Sequence, residues 1–134
     1  MKTKSVLQHD DVSKVLSAAK AHAIAHGWAV TIAVVDDGGH LLGLTRLDGA
    51  PPVSAHIGVA KAKTAALGQR ATKVYEDIIN KGRTAFLSAP FIEGMLEGGV
   101  PVVVDNQVVG AVGVSGVQSH EDAQIAQAGI DALS

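Results

Sequence analysis

The chain contains no cysteine, which excludes disulfides, a thiolate nucleophile, an iron–sulfur cluster and a covalently attached C-x-x-C-H haem. It is almost as poor in aromatic residues, with one Trp, one Tyr and two Phe in 134 residues. The apolar share is 47% and is dominated by 21 Ala and 18 Val, so the interior must be built from small side chains that let elements approach closely. Eleven Lys and Arg against thirteen Asp and Glu give a net charge of -2. No basic run is present to displace counterions from a phosphate backbone, so nucleic acid is not an expected partner. No apolar stretch reaches the roughly 18 residues of a membrane span. Met1 to Gln8 also lacks the apolar core of an export signal, so no membrane contact and a cytoplasmic location are expected. The length suits a single domain over residues 1–134.

Apolar spacing predicts a first helix from His9 to His26, ended by Gly27. Trp28 to Asp36 and His40 to Leu47 read as strands joined through Asp37-Gly38-Gly39 in an antiparallel hairpin. After Asp48-Gly49-Ala50-Pro51-Pro52 a second helix is predicted, with Val53, Ile57, Ala60, Thr64 and Leu67 as its core stripe. Another face of that helix carries Ser54, Gly58, Lys61, Ala65 and Gly68, small enough to admit a neighbouring backbone. Thr72 is placed as the cap of a third helix ending near Lys81, and Thr84 to Leu96 as a short strand or loop. Val100 to Val104 and Val108 to Ser115 form a second hairpin around Asp105-Asn106-Gln107. Ser119-His120-Glu121-Asp122 has the form of a capping box opening a last helix. Two hairpins framed by helices predict an α+β domain of three layers with a central antiparallel sheet.

Chemistry-bearing residues are scattered. Gly110 to Gly116 lacks both nucleotide-loop spacings and reads as a strand that something approaches closely, whether a helix or a flat ligand. His22 and His26, four apart on the first helix, can present two imidazoles to one metal or haem iron, or simply flank an apolar stripe. Asp36, Asp37, His40, Arg46 and Asp48 crowd the first hairpin, where they could hold a hard cation or a carboxylate ligand, or serve as turn residues and an ion pair. Lys61, on that small-residue face, is the least expected charge, because burying it would require a carboxylate or an anionic ligand. No nucleophile–base pair or complete metal site can be read, so catalytic residues are not assigned and enzyme status stays open.

Six ordered segments carry a resemblance: Val34 to His40, Arg46 to Pro51, Ala60 to Leu67, Gly82 to Phe86, Glu97 to Asp105 and Val109 to Gly116. Together they resemble the GlcG/HbpS-like (haem-degrading, DUF336) family, in its branch associated with glycolate-utilisation loci, from about Lys2 to Leu133. The resemblance implies a profilin-like α/β/α sandwich, assembly as a homo-oligomer, and haem as a cofactor. It places Asp36, Arg46, Asp48, Lys61, Thr64, Glu97 and Ser115 within the family pattern, with Asp36, His40, Glu97 and Ser115 as ligand-binding candidates. A haem ligand in this chain would be a histidine or Tyr75, with His22 favoured and His26 assisting; Arg46, Lys61 or Arg83 could receive the propionates. So few aromatic residues favour a groove between subunits over a deep internal pocket.

The expected function is binding of haem or a related tetrapyrrole, with haem breakdown and a link to glycolate metabolism implied by the same resemblance. Two other readings stay open. One is an accessory module holding a small 2-hydroxy or 2-oxo acid beside Lys61 and Arg46; the other is an oligomer of purely structural role.

Overall fold

A computed structural model describes all residues from Met1 to Ser134. Helix α1 (His9–Ala25) opens where the Gln8 amide donates to the Asp11 carboxylate at 2.8 Å and closes before Gly27, at a φ of 70°. Strands β1 (Thr31–Asp36) and β2 (Leu41–Arg46) form the first hairpin, and β3 (Gly99–Val104) and β4 (Gln107–Ser115) the second. Asp105 and Asn106 both take positive φ, the geometry of a tight two-residue hairpin turn. The hairpins join through β1 and β4 into one antiparallel sheet of order β2-β1-β4-β3. Helices α2 (Val53–Gly68), α3 (Thr72–Asn80) and α4 (Ser119–Asp131) complete the domain, with a 3₁₀ helix at Thr84–Ser88.

The sheet separates two cores of different character. On one face, Val30, Ile32, Val34, Val112 and Val114 meet Val12, Val15, Ala19 and Ala23 of α1 and Ile125 and Ala126 of α4. On the other face, Ala33, Val35 and Ala111 meet Ala62, Ala65 and Ala66 of α2. The α/β/α sandwich expected from the two hairpins is therefore the fold.

Helix α2 corrects the expected stripe. Of that stripe Thr64 is buried and Ile57 and Ala60 are half-buried, but Val53 and Leu67 are exposed, whereas Ser54, Gly58, Lys61, Ala62 and Ala65 are buried. The small-residue face is the inner face, because the sheet offers it backbone rather than side chains. A Cβ on Gly113 of β4 would collide with the Gly58 carbonyl oxygen and the Ala62 amide nitrogen. Gly94 and Gly99 are pressed against the backbone of Ala60 and Lys61 in the same way. The Gly110–Gly116 run thus admits a helix.

Two local expectations also change, and a third is resolved. Thr72 does not cap α3; its hydroxyl donates to the Leu96 carbonyl and accepts the Gly99 amide at 2.9 Å, pinning the chain that enters β3. Of the strand or loop expected over Thr84 to Leu96, the loop is found, running without regular structure after the 3₁₀ helix. The capping box of α4 lies one residue earlier, where the Gln118 amide donates to Glu121 at 3.2 Å. Asp122 is thereby freed to turn inward. No helix is long and apolar enough to cross a membrane.

Candidate functional site

The inward side chain of Asp122 receives the Lys61 ammonium at 3.1 Å, each side chain being 3% exposed. Lys61 also donates to the Val114 carbonyl at 3.0 Å, and Asp122 accepts the Val117 amide at 3.2 Å. Gly98 makes room for the ammonium, since a Cβ there would stand 2.7 Å from Nζ. Burial pushes the Asp122 carboxyl above the ordinary carboxylate range, against the pull of the Lys61 charge and the Val117 N–H. The carboxylate that a buried Lys61 demands is thus Asp122, a residue that sequence reasoning assigned to a cap. The signal for it was present: an uncompensated lysine on a small-residue face requires an acidic partner elsewhere in the chain. Ser115, buried, follows the Val114 carbonyl that Lys61 uses, and half-buried Glu97 precedes Gly98.

At the first hairpin, Asp36 organises the turn. Its Oδ1 accepts the Gly38 and His40 amides at 2.9 Å each and lies 3.1 Å from His40 Nδ1. Desolvation raises the Asp36 carboxyl, but the His40 and Gly38 amides and the His40 ring outweigh it, leaving it below its ordinary value. Asp37 points away to Lys4 at 3.1 Å. Arg46 sits at the opposite end of β2 and clasps the Ala50 carbonyl through Nε and Nη2 at 3.3 and 3.0 Å. It makes no ion pair. Surface Arg46 and enclosed Lys61 therefore do not face a common ligand.

His22 and His26 do meet at the end of α1, their ring centroids 4.4 Å apart. Their free nitrogens differ. His26 Nδ1 is 2.9 Å from the His22 carbonyl, which can only accept, so Nδ1 carries a proton, and in the neutral ring the lone pair lies on Nε2, which no protein group engages. In contrast, His22 Nε2 is engaged by the Gln124 side-chain amide at 2.9 Å. Trp28 stacks on His26 with centroids 4.4 Å apart and planes 20° apart, fixing the ring's orientation. Beside this stack, Lys20, Ile24, Trp28, Arg46 and Leu47 line an open cleft of about 450 Å³. Neither histidine lines it; Trp28 joins the imidazoles to its rim. No three histidine or acidic side chains converge on a metal-sized site.

Comparison with known proteins accords with this architecture. A family model described as haem degrading protein HbpS-like matches residues 7–131. Protein GlcG of Escherichia coli (strain K12) is 55% identical over 115 residues, 86% of this chain and 85% of GlcG. The crystal structure of HbpS superposes with a TM-score of 0.90 at 30% identity, covering 100% of this chain and 94% of that one. That of PduOC in complex with haem gives 0.84 at 26% identity, covering 96% and 95%.

Proposed function

Because the chain belongs to the HbpS-like family of haem-degrading proteins, we propose that it binds haem beside the C-terminal end of α1, with His26 supplying the iron ligand. The observation that carries this reading is the His26 tautomer. Histidines that ligate metals characteristically donate their other ring N–H to a carbonyl or carboxylate, and the His22 carbonyl holds His26 in that state. His22, favoured by helical spacing alone, has its Nε2 occupied by Gln124 and serves as the support.

The surroundings suit a flat, apolar, doubly anionic group. Trp28, Ile24 and Leu47 offer apolar surface, while Lys20 and Arg46 stand ready for propionates. Arg46 retains donors beyond those used on Ala50. Haem bound here would supply iron for redox and oxygen chemistry. The cleft is open, so one face of a porphyrin would lie bare on a single chain; a second copy of the chain covering it completes the proposal. Structural support for haem in this fold comes from PduOC, whose crystal structure is a haem complex. The family description makes breakdown of the bound haem the activity to assay at the same place.

Haemin titration followed by absorption tests the reading. Native protein is expected to shift the Soret band, His22→Ala to retain the shift, and His26→Ala to weaken binding by about tenfold or more. A native protein that leaves the band unmoved removes haem, and a His26→Ala variant that titrates like native removes the ligand.

A further inference from the structure

At the other end of β2 lies a second, larger cleft of about 590 Å³, between the β1–β2 turn, the last turns of α2, α3 and the Pro90–Ile92 segment. We infer that this cleft is a separate binding site for a monocarboxylate carried on a flat apolar body. Tyr75 forms its polar anchor. The residue is only 3% exposed, yet its hydroxyl has no hydrogen-bond partner in the chain. No enclosed side-chain polar atom is left unpaired anywhere, so the phenolic oxygen is not sealed off from solvent. Gly68 makes room for the phenol tip, which packs against it, since any Cβ there would collide with the hydroxyl. A buried phenol whose hydroxyl meets no protein acceptor can donate to an acceptor bound in the cleft.

The charges beside it have the matching sign. Lys63 and His40 line the cleft, and Lys63 makes no ion pair. Arg70 lies over the Tyr75 ring at 4.9 Å, adding a second cation next to the phenol. The acid bound to His40, Asp36, is committed to the turn amides. Glu93 borders Lys63 from a smaller neighbouring groove and is the one acidic side chain there. The cleft receives the C-terminal end of α2, whose carbonyls carry partial negative charge. Arg70 does not line the cleft itself, so one ammonium and one hydroxyl face it, and against that helix end they match a single carboxylate rather than a dianionic phosphate.

The walls define the rest of the ligand. Leu67, Phe91 and Ile92 give an apolar surface far larger than a two-carbon acid would cover. Phe91 holds a φ of 67° and is 75% exposed, a backbone state that bulky residues avoid. Strain of this kind persists where the surrounding structure imposes it, often at ligand clamps. Here the Gly94 amide, tied to Thr64 Oγ1 at 3.1 Å, anchors the segment that presents the ring.

The test is calorimetric titration of the full chain with phenylacetate, phenylacetamide and acetate. Phenylacetate is expected to bind, with the neutral amide and the truncated acid each weaker by about tenfold. Tyr75→Phe, which retains the ring packed on Phe86 and Arg70, should weaken phenylacetate by about tenfold, and Lys63→Met by about threefold. Both variants should titrate haemin as native does, and haemin-saturated protein should still bind phenylacetate. No heat with phenylacetate, equal affinity for the amide, native affinity in Tyr75→Phe, or displacement by haemin would each overturn the inference.

Discussion

Lys61 of α2 and Asp122 of α4 meet at 3.1 Å across the end of β4, joining helices that lie on opposite faces of the sheet. Removing either partner strands a charge in a closed space, which costs about 3–5 kcal/mol, whereas replacing both with apolar residues can be neutral. Lys61→Met and Asp122→Leu should each lower unfolding stability by that amount, and the double variant should recover most of it. Urea denaturation of all four proteins at one concentration measures the cycle; simple additivity would show that the pair does not act as a unit.

Gly113→Ala places a methyl group against the Gly58 carbonyl and the Ala62 amide, neither of which can rotate aside. The helix must lift off the sheet. A loss of at least about 1–3 kcal/mol is expected. Thermal unfolding by circular dichroism reads it, and a variant melting with the native protein would contradict the close approach.

The two hydrogen bonds of the Thr72 hydroxyl hold the entry to β3. Thr72→Val keeps the shape and leaves the buried Gly99 amide without its acceptor, an expected cost of about 1–3 kcal/mol. Native-state hydrogen exchange should show the Gly99 amide and the adjoining β3 amides opening faster. Unchanged protection there would mean that the strand needs no such pin.

Asp36 predicts a pH-dependent difference. Its folded pKa lies below the ordinary 3.8, so the unfolded chain takes up the proton first as pH falls. The stabilisation is fully present above 3.8 and is lost as pH drops through the lowered folded value. Asp36→Ala should therefore be less stable than native by about 1 kcal/mol at neutral pH, and the gap should narrow in acid. Asp122 is shifted the opposite way, so the readout is the difference between the two proteins at each pH. A gap that holds constant into acid would remove the charge from the account.

The hairpins, the order of helices and the three layers were legible because each rests on local signals: a run apolar on both faces in β1, paired turn residues at Asp105-Asn106, and Gly27 ending α1. The face that α2 presents was not. Hydrophobicity ranks Val53 and Leu67 as core, but the deciding quantity is the distance at which Gly113 allows the helix to sit, and that is tertiary. Asp122 was hidden by a capping pattern that works equally well one residue earlier, at Gln118 and Glu121. Helical spacing put His22 and His26 on one side, yet only Gln124, 102 residues away, decides which imidazole is left free. Tyr75 was visible as an aromatic side chain, but its unpaired hydroxyl depends on Gly68 and on the fold of the Pro90–Ile92 segment.

Where α2 lies against β4, the main chains of Gly58, Ala62 and Gly113 are already in touch. Such a seam has no spare atoms to trim, so the usual route of softening a domain by shaving its interior is closed there, and every replacement at Gly113 must add bulk. At Gly58, Ala62 and Gly113 no long side chain stands between the two layers. Helix and strand are held there by main chain against main chain, so a shift of one layer would have to carry the other with it.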